Sequence, residues 1–253
     1  MRPPELAVRV LGVPIGIRAE QPLSGEVADL FADLPSCRPD TVAVTVQTRD
    51  GDRPPDVLAS VTQAAVARSP LLCVHAGVVS LGDRLVVIPA VSGTGKTTLT
   101  AALVRAGFGY VSDEALAVDR LTHAVTAFPR PLALAADVLP LLGLPPAPDP
   151  DVEHLVRASE LGSVDPDPGR VTDLLLVRRD GSGPTLTRSP RSRAVVELLH
   201  RSFNHYVDPL GSFHAAVGLA RTAHVWSASY ADAPDLAAVL AEELRASGRG
   251  RRP

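Results

Sequence analysis

The residues whose types and spacing can do chemistry lie in Ile88-Pro89-Ala90-Val91-Ser92-Gly93-Thr94-Gly95-Lys96-Thr97-Thr98. Glycines at 93 and 95 let the backbone wrap closely and turn successive amide N–H groups toward one point. A helix starting just after them adds the positive end of its dipole to that point. Ser92, Gly93, Thr94, Gly95, Lys96, Thr97 and Thr98 then form a phosphate cradle, with Lys96 reaching the β- and γ-phosphates and the Thr97 hydroxyl on Mg²⁺. The spacing follows the Walker A pattern G-x-x-x-x-G-K-[ST] except at the first glycine, which is Ala90. A methyl group is a small departure where φ is negative, as it usually is at a strand end. The competing reading is an ordinary flexible turn before a helix capped by Thr97. One bias in composition favours the cradle: of 25 basic side chains 24 are Arg, and the single Lys is Lys96. A compact ammonium on a flexible stem does what a planar guanidinium does not.

Two carboxylates follow at a telling distance. Asp113 lies 17 residues after Lys96, at the exit of the next strand, and Glu114 is beside it. A carboxylate there can bind Mg²⁺ or take the proton of an attacking hydroxyl, and two neighbours on a persisting strand point differently and can divide those roles. Capping of the next turn is the plainer alternative for both. His75 lies 21 residues before Lys96 in Cys73-Val74-His75-Ala76-Gly77. By itself a strand histidine among small residues reads as a satisfied core group. The histidines at 123, 154, 200, 205, 214 and 224 show no metal-ligand spacing. The arginines at 188, 191 and 193 read as a solvated helix start.

The elements that must position these residues form an α/β frame. A strand over 84–88 feeds the glycine-rich loop, a helix over 99–105 closes at Gly107, and a strand over 108–111 delivers the acidic pair. Upstream, a helix over 57–67 leads into a strand over 72–79, and Gly82-Asp83 turns the chain so that 72–88 makes adjacent strands. Residues 1–65 read as a small N-terminal α/β lobe, with strands over 6–10 and 41–46 around a weak helix over 27–31. Residues 144–170 are rich in Pro and Asp; they predict loops around a short helix over 152–161, serving as a lid or merely as a surface excursion. A strand over 173–177, a helix over 191–202 and a last helix over 234–246 complete the catalytic portion, 66–246. A basic tail, 247–253, is expected to be disordered.

The run from His75 to Asp119, with V-H-A-G-V-V, S-G-T-G-K-T-T-L and G-Y-V-S-D-E, resembles the catalytic domain of HPr kinase/phosphorylase and its broader group of kinase-like relatives. The resemblance is strong over those residues and loose over 66–245. It implies an α/β fold with the P-loop kinase core shared with phosphoenolpyruvate carboxykinases, binding ATP and Mg²⁺. It further implies that Asp113 is the base toward a serine hydroxyl, that Glu114 stands where relatives carry a second, metal-binding aspartate, and that His75 assists the base. It also implies that a downstream basic residue, for which Arg130 is the candidate, touches the phosphates. The glutamate-containing signature that follows the acidic pair in the bifunctional enzymes has no clear counterpart here, so the resemblance points to the kinase-only relatives.

Composition bounds the alternatives. At 253 residues, 45% hydrophobic and 21% charged, the chain can bury a core and is neither disordered nor a disulfide-stapled miniprotein. A net charge of −3 provides no general attraction to nucleic acid or anionic membrane. Two cysteines, no secretory signal and no long apolar segment lead to the expectation of a reduced, cytoplasmic protein without a membrane partner. Three readings remain: a kinase acting on a serine of a protein or peptide, a regulatory module that binds ATP without transfer, and a kinase of a small metabolite. The acceptor, the choice among ATP, GTP and pyrophosphate, and whether the chain forms a homo-oligomer stay open.

Overall fold

A computed structural model describes residues 5–19, 23–49, 51–91 and 93–249. The N-terminal portion holds β1 (Leu6–Val10), β2 (Val13–Arg18), α1 (Leu23–Leu30), β3 (Val44–Gln47) and α2 (Pro54–Val66). β2 is the middle strand of a small sheet, antiparallel to β1 and parallel to β3. The strand expected from residue 41 begins three residues later because Pro39–Thr41 forms a 3-10 turn, with the Thr41 hydroxyl donating to the Arg38 carbonyl at 2.7 Å. α2 begins with Pro54 and Pro55, whose missing N–H groups cost nothing in a first turn.

The large sheet is built from β4 (Leu72–Leu81), β5 (Arg84–Pro89), β6 (Gly109–Ser112), β7 (Ala115–Val118), β8 (Val125–Thr126), β11 (Asp173–Arg179), β12 (Thr185–Arg188) and β13 (His224–Tyr230). α3 (Lys96–Arg105) connects β5 to β6, and β9 (Leu132–Leu134), α4 (Val138–Leu141), β10 (His154–Val156) and α5 (Ala158–Leu161) come between β8 and β11. α6 (Arg191–His200), α7 (Pro209–Thr222) and α8 (Ala233–Arg249) complete the chain. Its strand order is β12-β13-β11-β5-β4-β7-β8, with β6 also paired to β4. β5, β11 and β13 are parallel, and the β4–β5 hairpin turns at Gly82, whose φ is +61°.

Alternation along β4 assigns the layers. Leu72, Val74, Ala76 and Val78 enter a core under α6 and α7. On the opposite face Cys73 enters the core of the N-terminal portion, and Val79 joins Leu99, Leu103, Leu236 and Leu240 of α3 and α8. One face of the sheet is therefore covered by two neighbouring bodies, and His75 and Gly77, also on that face by the two-residue period, lie between them. This seam is where the candidate site forms.

Two other expectations are corrected. The helix expected over 152–161 is instead β10, antiparallel to β9, followed by the single turn α5. Pairing His154–Val156 with Leu132–Leu134 satisfies the backbone over a distance that no local pattern reports. Residues 144–170 are also tied to the sheet, since Tyr110 N–H donates to the Ser163 carbonyl at 2.7 Å and Asp165 N–H to the Tyr110 carbonyl at 2.8 Å. At the C-terminus helix continues through Arg249 into the segment expected as tail, with the Ser247 hydroxyl donating to the Glu243 carbonyl at 2.8 Å. Residues 250–253 lie outside the described residues. Among the described residues no helix is long and apolar enough to cross a membrane.

Candidate active site

The loop after β5 contains two left-handed glycines, Gly93 and Gly95, both with φ of +80°. Gly95 is the N-cap of α3 and, having no side chain, caps nothing. The first helical bond runs from Leu99 N–H to the Gly95 carbonyl at 2.9 Å, so α3 itself makes no use of the amides of its first three residues, Lys96, Thr97 and Thr98. A side-chain cap would have filled that space; here it is open to an anion. Ala90, at the missing glycine, is buried and is not among the residues with positive φ, which removes the steric objection to it. Ser92 lies outside the described residues.

Lys96 is 5% exposed. Its ammonium donates to the Asp113 carboxylate Oδ1 at 2.9 Å and also to the Asp113 backbone carbonyl. β6 and β7 meet at this point, so the acidic pair sits in the short turn between them, braced by the Ser112 hydroxyl accepting from Ala115 N–H at 3.1 Å. The two carboxylates diverge, because Glu114 Oε2 accepts from Arg130 Nη1 at 2.7 Å. Arg130 is set in place by the Tyr110 hydroxyl, which donates to its carbonyl at 2.8 Å.

His75 comes from β4, half-buried, with its ring centroid 5.6 Å from that of Phe203. Burial, and after it the nearby Lys96 charge, pull its pKa below the ordinary 6.5, against the opposing influence of Glu114 and Asp113. It is a neutral imidazole near pH 7, able to accept a proton.

Together these residues line a cavity of about 330 Å³ bounded by His75, Gly93, Gly95 to Thr98, Asp113, Glu114 and Arg130. Of the described residues singled out in the sequence, Thr94 is not among those lining the cavity: its hydroxyl donates back to the Val91 carbonyl at 2.7 Å. Three contributors carried no readable signal. Glu153, from the Pro- and Asp-rich excursion, lines the cavity wall. Tyr230, at the end of β13, braces the loop by donating its hydroxyl to the Thr94 carbonyl at 3.3 Å. Phe203 reaches His75 because residues 201–204 extend the sheet along β4: His75 N–H donates to the Arg201 carbonyl at 2.8 Å and Phe203 N–H to that of Cys73 at 2.9 Å.

Among the described residues no three His, Cys, Asp or Glu side chains converge to hold a metal unaided. Asp113 and Glu114 each accept from one cation, Lys96 and Arg130, and both line the cavity beside Thr97. Hard oxygen groups of this kind fit Mg²⁺, which keeps several waters and completes its shell with phosphate oxygens. The groups at hand are the free amides at the start of α3, a lysine, two carboxylates and one neutral imidazole.

No family model matches the sequence, and no curated protein matches it. Among solved structures it is similar to the Hpr(Ser) kinase/phosphatase from Coxiella burnetii over 70% of this chain and 99% of that chain, with 12% sequence identity and a TM-score of 0.37. A likeness at this level concerns overall mixed α/β structure and carries no argument about the loop, its ligands or an activity.

Proposed function

We propose that this chain is an ATP- and Mg²⁺-dependent kinase that transfers the γ-phosphate to a hydroxyl, serine in a protein or peptide. The observation that carries this reading is the single cavity shared by an uncapped helix start, the only lysine, and Asp113. The loop amides and Lys96 would hold the phosphate tail, and Arg130 borders it from the other side. Thr97 and Asp113 would hold Mg²⁺, which when bound neutralises charge on the phosphate oxygens.

In the reaction the acceptor hydroxyl oxygen bonds to the γ-phosphorus while the bond from that phosphorus to the β–γ bridging oxygen breaks, and ADP leaves. The hydroxyl proton passes to the Asp113 carboxylate. Asp113 is held at the cavity wall by Lys96, and neutral His75 on the adjoining strand supports the same proton. Phosphoryl transfer asks chiefly for positioning and charge neutralisation, which preformed amides and buried charges provide without reorganisation.

The test incubates the chain with γ-labelled ATP, Mg²⁺ and serine-containing peptides or the small proteins encoded beside its gene, and follows label by mass spectrometry. Label on serine is expected, falling by about 10²–10⁴-fold in Asp113→Asn and disappearing in Lys96→Met. Retained turnover in Asp113→Asn would remove that residue from the role of base. ATP binding with no phosphorylated product would instead make the chain a regulatory module.

A further inference from the structure

A second cavity, of about 600 Å³, meets the first at Glu114 and Arg130, which line both. We propose that it is the acceptor groove, and that it receives a polypeptide segment carrying an apolar side chain beside the target hydroxyl; this deepens the kinase reading and rests on it.

One wall is the outer face of α2. Val57, Leu58, Val61 and Ala65 point into the N-terminal core, while Ala59, Gln63 and Ala67, spaced by four, line the groove. Alanines at both ends leave the helix surface low, so another chain can approach closely. The opposite wall is Phe203 and Tyr206, and Phe203 also touches the His75 ring. A segment lying here would pass from α2 to the catalytic histidine and acid with no barrier except the Glu114–Arg130 pair.

The lining decides what kind of acceptor fits. The one ion pair at the inner end is self-neutralised at 2.7 Å, and the remaining walls offer aromatic, alanine, valine and threonine groups with one neutral amide. Among the described residues that line it, no charge is left unpaired to hold an anionic metabolite. The apolar surface also continues beyond the groove. Tyr206 is 70% exposed, followed in the chain by Val207 at 67% and, on one side of α7, Leu210 at 66% and Phe213 at 48%. A metabolite confined to the cavity has no use for that surface, whereas a polypeptide crossing the groove would cover it.

The experiment uses the full chain, γ-labelled ATP with Mg²⁺, and an array of synthetic peptides with a central serine flanked by Leu, Asp or Arg. Peptides with Leu beside the serine should be labelled best. Tyr206→Ala and Ala59→Arg, both at exposed positions, should raise KM for the best peptide by about tenfold or more, the loss expected for one buried apolar contact, with KM for ATP unchanged. Transfer indifferent to the flanking residue, an unchanged peptide KM in both variants, or label appearing only on a small metabolite would overturn the groove while leaving phosphotransfer standing. Failure of the wild-type chain to bind ATP would overturn the kinase reading and the groove with it.

Discussion

At the scale of single residues, the Lys96–Asp113 pair dominates, because both side chains are about nine-tenths buried, at 6% and 10% exposure. Removing one member of such a pair leaves an uncompensated buried charge, so Asp113→Ala should lose about 3–5 kcal/mol of unfolding free energy. The double variant Lys96→Met with Asp113→Leu should recover most of that loss in urea titrations while remaining inactive; a neutral Asp113→Ala would mean that the pair is not formed. The cysteines offer an independent check. Burial pushes the Cys73 thiol above its ordinary 9.0, with a Ser69 hydrogen bond and then the nearby Arg120 charge acting the other way. An unfolded chain loses that proton first, so this contribution is present below pH 9 and is lost as pH rises through 9 toward the raised value. In the folded protein at neutral pH, an alkylating reagent followed by mass spectrometry should modify half-buried Cys37 and spare Cys73; equal labelling would contradict the placement of β4. What was legible at this scale was what is local. A loop of two closely spaced glycines and a lysine can be read from spacing, whereas the divergence of Asp113 and Glu114 comes from the turn between β6 and β7 and from Arg130, not from the continued strand that the spacing suggests. Tyr230, Glu153 and Phe203 reach the same point through contacts across the sheet and leave no local trace.

At the scale of elements, two glycines fix how α3 meets the sheet. A Cβ on Gly77 would collide with the Thr100 hydroxyl, which is buried on the facing side of α3. Gly95 holds a left-handed backbone that costs other residues about 1–2 kcal/mol. Gly95→Ala should therefore lower stability by that amount and weaken ATP binding, whereas Ala90→Gly should leave binding within about twofold, since Ala90 has no positive φ to relieve. Chemical denaturation with parallel ATP titrations reads both, and a Gly95→Ala variant with unaltered binding would argue against the cradle. Strands and helices with strong local patterns, such as β1, β5 and α3, were legible within a few residues. The stretch that forms β10 was read as helix because nothing nearby announces its pairing with β9. α7 and β13 escaped assignment altogether: α7 is broken in pattern by Gly211 and Gly218, and β13 mixes small polar residues into a buried strand, His224–Tyr230. Packing against α6 and pairing with β11 decide those two elements.

At the scale of the whole molecule, the site exists because one face of the large sheet is covered by two bodies that leave a seam between them. An α/β class could be anticipated from the order of strand, loop and helix. The seating of the N-terminal portion on β4 and β7 could not, since Cys73, Ala115, Ala117 and Phe128 join its core from remote positions. That shared core predicts one cooperative unfolding transition, with Phe128→Ala costing about 3–5 kcal/mol and shifting the signals of both portions together; two separated transitions would show that the N-terminal portion stands alone. The measurement that bears most directly on the account is calorimetric titration of wild type and Lys96→Met with ATP and with AMP in the presence of Mg²⁺. If the seam grips a phosphate tail, ATP binds wild type at least about tenfold more tightly than AMP, and Lys96→Met abolishes that difference while leaving weak AMP binding in place. Equal affinity for the two nucleotides, or a variant that still prefers ATP, would contradict it.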